Sequence, residues 1–121
     1  MSDSGMKHIA ALKQLDRLKL NETLVGDEGV KELSELPKLT SLNIQYTKIS
    51  DRATEYLARM KTLKILSLYG TEVSGPGLDA VARLPNLELL DLRKTKISQK
   101  VRCELMQAKP GLTVYGPEMW D

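Results

Sequence analysis

Leucine returns along this chain at fixed intervals, and the interval is 24 residues. Leu12, Leu36, Met60 and Leu84 fall in register, as do Leu15, Leu39, Leu63 and Leu87 three residues later. The same step aligns Leu18, Leu42, Leu66, Leu90, then Leu20, Ile44, Leu68, Leu92, then Thr23, Thr47, Thr71, Thr95, then Val25, Ile49, Val73, Ile97. Leu33, Leu57, Val81 and Leu105 complete each unit. Self-similarity at a fixed period marks a repeat architecture, in which one unit cannot bury its own apolar face and neighbours stack to do so.

Two periodicities alternate within each unit. Leu42-Asn43-Ile44 and Leu90-Asp91-Leu92 alternate with period two, which predicts a short strand with one face buried. A small or polar turn follows, and then a stretch of about ten residues with helical spacing. Asp27 and Asp51 stand where an N-cap oxygen takes up orphan backbone donors, and Gly75-Pro76-Gly77 places a proline near a first helical position. Helix-surface pairs are expected between Arg52 and Glu55, Glu55 and Arg59, and Asp79 and Arg83, as a solvated convex face.

The segments LxxLxLxxTxI/V at 15–25, 39–49, 63–73 and 87–97 resemble the leucine-rich repeat family, and the resemblance covers nearly the whole chain. It implies an α/β solenoid: a curved parallel β-sheet of about five short strands with helices on the convex side. Threonine stands where asparagine or cysteine commonly follows the strand in that family. The variant is similar to the 24-residue repeats abundant in bacterial proteins and to the cysteine-containing repeats of F-box ubiquitin-ligase receptors. A threonine hydroxyl in the buried turn satisfies backbone groups as an asparagine amide does, so the four threonines are structural.

The array divides into a half-repeat helix over 1–11, four full repeats over 12–107, and an irregular strand and cap over 108–121. Residues Ser2 to Ile9 lie 24 positions before Gly26 to Leu33, so the chain starts halfway through a repeat, either as a natural cap or as a piece of a longer array. At the other end Leu112-Thr113-Val114-Tyr115 reads as a last strand at which the full 24-step register fails, with Met119 and Trp120 folding over the exposed coil.

Composition narrows the function. With 121 residues, 41% of them hydrophobic, one domain can bury a core unaided, and 18 Lys+Arg against 16 Asp+Glu leave a net charge of +2, too little for a nucleic-acid or anionic-membrane footprint. No apolar run approaches the roughly 18 residues of a membrane span. A single cysteine, Cys103, excludes an internal disulfide framework and fits a reducing, cytoplasmic setting.

No catalytic constellation emerges, and no cofactor or metal is implied. His8 and Cys103 belong to the first and last helical stretches, about four strand spacings of roughly 4.8 Å apart, too far for a nucleophile and its base. Metal-ligand spacings and phosphate loops are absent, and Gly75-Pro76-Gly77 lacks the Lys-Ser/Thr of a nucleotide site.

What remains is the concave face, where side chains between the inward leucines form columns: Arg17, Ser41, Ile65, Leu89; then Lys19, Asn43, Ser67, Asp91; then Asn21, Gln45, Tyr69, Arg93. Ile65 and Leu89 place two aliphatics side by side where solvent favours polar groups, and Tyr69 and Arg93, residue types enriched in hot spots, sit beside them. This cluster, with Tyr46 at its rim, predicts a site for another protein. Two other readings stay open: self-association through the array ends, with Arg17–Leu20 as an open edge, and a substrate-recruiting part of a larger repeat protein. RNA is disfavoured because Arg17, Lys19, Arg93 and Lys94 are split between the two ends with Asp91 among them.

Overall fold

The computed structural model describes residues 5, 8–9, 11–20, 25–75 and 78–116. Thr23, Pro76, Gly77, Met119 and Trp120 lie outside them, and with them the expectations on a first-repeat threonine, a helix-opening proline and a folded-back tail. Among the described residues, from β1 onward, five strands alternate with four helices: β1 (Arg17–Lys19), α1 (Asp27–Leu33), β2 (Ser41–Asn43), α2 (Arg52–Leu57), β3 (Ile65–Ser67), α3 (Leu78–Ala82), β4 (Leu89–Asp91), α4 (Gln99–Ala108) and β5 (Thr113–Tyr115). The strands form one parallel sheet in the order β1-β2-β3-β4-β5.

Every pairing runs at the 24-residue step. Leu18 faces Leu42, Leu42 faces Leu66, Leu66 faces Leu90 and Leu90 faces Val114. The repeat columns of the sequence are thus the rows of side chains across the sheet. The ladder extends beyond the strands on both sides. Upstream, Thr40, Lys64, Glu88 and Thr113 donate backbone N–H bonds to Asp16, Thr40, Lys64 and Glu88; downstream, Lys48, Glu72 and Lys96 donate to Val25, Ile49 and Val73.

The 24-step register also holds at β5, contrary to the break expected there. Thr113, Val114 and Tyr115 pair with Leu89, Leu90 and Asp91, and Leu112 and Val114 are buried in the core. The repeat fails only on either side of the strand: Gly111 stands where Leu87 stood, and Gly116 where Leu92 stood. The strand needs only its two inward positions filled to join the sheet, which is why it pairs although the consensus around it has dissolved.

Inside, Val25, Ile44, Leu42, Leu66, Leu68, Val73, Leu90 and Leu92 from the strands and turns meet Val30, Leu33, Ala53, Leu57, Leu78, Val81 and Leu105 from the helices. Complete burial of a leucine or isoleucine contributes about 1.5–3 kcal/mol, which makes this shared core the main stabilising element of the stack. The helices are mostly shorter than the ten residues expected: seven, six, five and ten. Tight turns end the first three, with Leu36, Met60 and Leu84 donating N–H bonds three residues back to Leu33, Leu57 and Val81. A longer helix would carry the chain past the point where Leu39, Leu63 and Leu87 drop into the core.

Threonine behaves as expected. Thr47, Thr71 and Thr95 donate their hydroxyls to the carbonyls of Ile44, Leu68 and Leu92, at 2.8, 2.8 and 2.6 Å. The aspartates do not. Gly26 is the N-cap of α1 and Asp51 caps α2 without a side-chain bond. Asp27 instead accepts from Ser50 N–H (2.8 Å) and Ser50 Oγ (2.6 Å) of the next repeat, and Asp51 accepts from Ser74 N–H (2.9 Å) and Ser74 Oγ. These are staples between repeats. The next position in the column is Gly75, which has no side chain to offer, and Ser98 is left to cap its own helix by accepting from Val101 N–H. On the convex face Glu55 pairs with Arg59 as expected, whereas Arg52 reaches back one repeat to Glu28 rather than to Glu55.

Asp51→Ala removes two inter-repeat hydrogen bonds at a partly exposed site and is expected to lower stability by about 1–2 kcal/mol, read as a lower urea midpoint. Ser98→Ala removes only a local cap and should cost no more than about 1 kcal/mol. Equal midpoints for wild type and Asp51→Ala would show that the staples carry no stability.

Candidate functional site

Three hydrogen bonds show that alternate columns share one face of the sheet. Gln45 Nε2 donates to Ser67 Oγ (3.0 Å), and Arg93 donates to the Asp91 carboxylate from Nε (3.0 Å) and Nη2 (2.8 Å). These contacts correct the expectation that the whole column stands open. Ser67 and Asp91 are only 6% and 4% exposed, because Gln45 and Arg93 lie across them. Lys19 is exposed, Asn43 is half-buried and its carboxamide oxygen accepts the Gln45 N–H (3.2 Å), and Asn21 lies outside the described residues.

The aliphatic pair is where the columns placed it. Ile65 and Leu89 are paired residues of β3 and β4; Ile65 is 45% exposed and Leu89 half-buried. Arg17, exposed, and Ser41, half-buried, complete the row toward β1, and Thr113 extends it beyond Leu89.

At the other end of the strands the aromatic side chains are brought together. The Tyr46 and Tyr69 rings meet edge to face at 5.3 Å, and the Arg93 guanidinium lies over Tyr69 at 5.1 Å and Tyr115 at 5.5 Å. Asp91 fixes that guanidinium from beneath, so the arginine joins two rings that its own repeat does not contain. Tyr46 and Tyr115 are 50% and 46% exposed. The result is an amphipathic ledge of three tyrosines and an arginine along the rim of the face. Aromatic contacts of this kind add about 0.5–1.5 kcal/mol beyond area burial.

Backbone geometry builds the ledge. Tyr46, Gly70 and Lys94 occupy one column, immediately after the strands, and all three have positive φ: 53°, 71° and 59°. A side chain at Gly70 would meet the Tyr46 ring at 2.6 Å, so the ring rests directly on the glycine backbone. Gly116, also at positive φ (72°), admits Arg93 in the same way, with the Arg93 backbone 2.7 Å from where a Cβ would stand.

Tyr115 escaped the column reading because it lies in a strand set aside as irregular. Its signal was available: it stands 24 residues after Asp91, in the outward column of β4. A second omission is the row one step upstream of Arg17, Ser41 and Ile65. There Asp16, Thr40 and Lys64 line, with those three residues, a cleft of about 420 Å³ at the start of β1 to β3. His8 and Cys103 are exposed, and among the described residues no group of His, Cys, Asp and Glu is placed to hold a metal. No helix among the described residues is long and apolar enough to cross a membrane.

Gly70→Ala forces a Cβ into left-handed backbone and against Tyr46, and is expected to cost about 1–3 kcal/mol and to change the near-ultraviolet circular dichroism of the tyrosines. Lys94→Gly, at the equivalent position, relieves strain and is expected to raise stability by about 1 kcal/mol. A Gly70→Ala variant with wild-type stability and spectrum would contradict the packing of the ring on the glycine.

Comparison with known proteins agrees with this architecture. Residues 35–58, one full repeat, match the family described as Leucine Rich repeat. No curated protein matches the chain in sequence. Among solved structures it is similar to a leucine-rich repeat protein of Leptospira interrogans, with a TM-score of 0.64 and 21% identity over 91% of this chain and 33% of that one. It is also similar to a chain of the Drosophila melanogaster SNF/U2A′ complex, with a TM-score of 0.60 and 18% identity over 84% of this chain and 59% of that one. The chain therefore spans about a third of the first protein's length and three-fifths of the second's. With a parallel sheet at a 24-residue step, helices packed against it and threonine-closed turns, this chain has the fold of an α/β leucine-rich repeat solenoid.

Proposed function

We propose that this chain is a protein-interaction module that seats a partner protein on its concave sheet face, centred on Ile65, Leu89, Tyr69 and Arg93. The observation that carries the reading is the exposed Ile65, paired with Leu89 on the same face as a tyrosine–arginine ledge already fixed in place by Asp91. Anchors that are held before binding lose little side-chain entropy on association, which is the property of interface hot spots. Arg17, Lys19, Asn43, Gln45 and Tyr46 surround the centre, and Tyr115 joins Tyr46 on the rim. Solenoids of this kind offer a broad rigid surface to other macromolecules.

Two further facts support a foreign partner. The SNF/U2A′ structure is that of a complex, and this chain resembles one of its chains in fold. Both edge strands are only three residues long, and β1 carries exposed Arg17 and Lys19, features that disfavour edge-to-edge pairing of copies. The repeats are read as the bacterial 24-residue threonine type, and the partner-binding role is compatible with a place in a longer repeat protein.

Ile65→Arg combined with Tyr69→Ala is expected to abolish retention of the partner in affinity capture from the source lysate, and Arg59→Ala on the convex face to leave it intact. Binding of the captured, purified partner should weaken at least about tenfold in the double variant, as truncated hot spots do. Equal retention by all three proteins would move the interface off the concave face, and a mass that rises with concentration in sedimentation would point to self-association instead.

A further inference from the structure

The cleft at the start of β1 to β3 has a chemistry of its own. Arg17 on β1 and Lys64 just before β3 flank it from opposite sides, about 10 Å apart by the spacing of two strands. Thr40 and Ser41, at the start of β2, form the floor between them, and Ile65 forms an apolar wall on the Lys64 side. Among the described residues Asp16 forms no ion pair with either cation. Its carboxylate accepts the Thr40 hydroxyl from the next repeat, and its backbone carbonyl takes the Thr40 and Ser41 N–H groups.

Among the described residues the Arg17 guanidinium, the Lys64 ammonium and the Ser41 hydroxyl enter no hydrogen bond or ion pair. Elsewhere on the same face polar side chains are tied together, Gln45 to Ser67 and Arg93 to Asp91. The cleft therefore concentrates unused donors around one floor, with formal charges of two cations and one carboxylate, a balance of one positive charge.

We propose that this cleft is a carboxylate subsite: it takes a single carboxylate of the partner, seated over Ser41 between Arg17 and Lys64, with an aliphatic side chain of the partner against Ile65. This deepens, and rests on, the reading of the concave face as a protein-binding surface. A monoanion matches the balance of charge, whereas a dianion would face the Asp16 carboxylate without full compensation. The exposed Ile65 selects a ligand that carries an apolar group next to the charge. The partner is thus an acidic-aliphatic peptide segment, its carboxylate borne by an Asp or Glu side chain or by a chain terminus.

The test uses the whole chain, labelled with nitrogen-15, and small probes followed by amide chemical shifts. N-acetyl-Glu-Leu-amide carries a side-chain carboxylate and N-acetyl-leucine a terminal one. At least one of them is expected to give saturating shifts at Arg17, Ser41, Lys64 and Ile65, and the tighter of the two identifies the source of the carboxylate. N-acetyl-Gln-Leu-amide should bind at least about threefold more weakly, the scale of one or two exposed ion pairs, and added salt should erase the difference. Arg17→Gln with Lys64→Gln should bring the charged probes down to the neutral one while leaving the remaining spectrum unchanged. Neutral and charged probes of equal affinity, shifts confined to other residues, or inorganic phosphate binding as tightly as the leucine probes would each overturn the proposal.

Tyr69→Ala, outside the cleft, separates this proposal from the broader reading. If it abolishes partner capture while the probes fail at the cleft, the concave face binds the partner and the carboxylate subsite falls. If the probes bind as expected and capture is unaffected by Tyr69→Ala but lost in Ile65→Arg, the subsite stands and the larger interface falls; capture unaffected by both variants overturns both readings.

Discussion

A strand in a parallel sheet cannot satisfy its backbone within its own repeat, because returning to a parallel neighbour requires a full crossover. In this chain the crossover takes 24 residues each time, and everything else follows from that closure. The distance fixes which residues become neighbours: Thr40 above Asp16, Leu42 beside Leu18, Lys48 beneath Val25. It limits how long the helices are, since only the residues left over after the strand and its two flanking turns can coil. It also makes each repeat depend on the next, since a backbone carbonyl of one unit finds its donor in the unit that follows.

Side chains reinforce the same step. Aspartates at 27 and 51 bind serines 23 residues on, Thr62 donates to the Leu39 carbonyl, and Arg52 pairs with Glu28. Within each turn the threonine hydroxyl closes a local loop onto the strand it has just left. The two devices divide the work. Threonine holds the shape of a single turn, where the backbone changes direction and a carbonyl would otherwise be stranded in the core. Aspartate holds one turn to the next. At Gly75 the second device is missing, and Ser98 is accordingly free for a local cap.

The regularity of the scaffold permits irregularity on the concave face. Because inward positions are committed to leucine, isoleucine and valine, the outward positions are free to differ from repeat to repeat. In the first two repeats they are mainly polar, with Arg17, Lys19, Ser41 and Asn43. In the next two they include Ile65, Leu89, Tyr69 and Arg93, and β5 adds Tyr115. The outward residues thus change across the sheet, from cationic Arg17 and Lys19 on β1 to the aliphatic Ile65 and Leu89 on β3 and β4, with the aromatic rim along one end of the strands.

The sequence by itself determined the repeat, the sheet register and outward columns from β1 to β4, the inward core and the hydroxyl-closed turns. These follow from period and polarity, and a 24-residue step leaves little freedom in which residues meet. Ile65 beside Leu89, the exposed Tyr46 and the surface positions of His8 and Cys103 were legible on that basis. Only the tertiary structure decided which side chains cover which. Asp91 and Ser67 share a column with Lys19, yet Arg93 and Gln45 fold over them, and no column pattern encodes a rotamer. Asp27 and Asp51 looked like helix caps because a cap and an inter-repeat staple demand the same short acceptor; distance alone separates them. Tyr115 and Gly116 became part of the rim because β5 needs just two buried positions to pair, a weaker demand than the full consensus. The column names the neighbours of a side chain, and the packing of long, rotatable groups in three dimensions chooses among them.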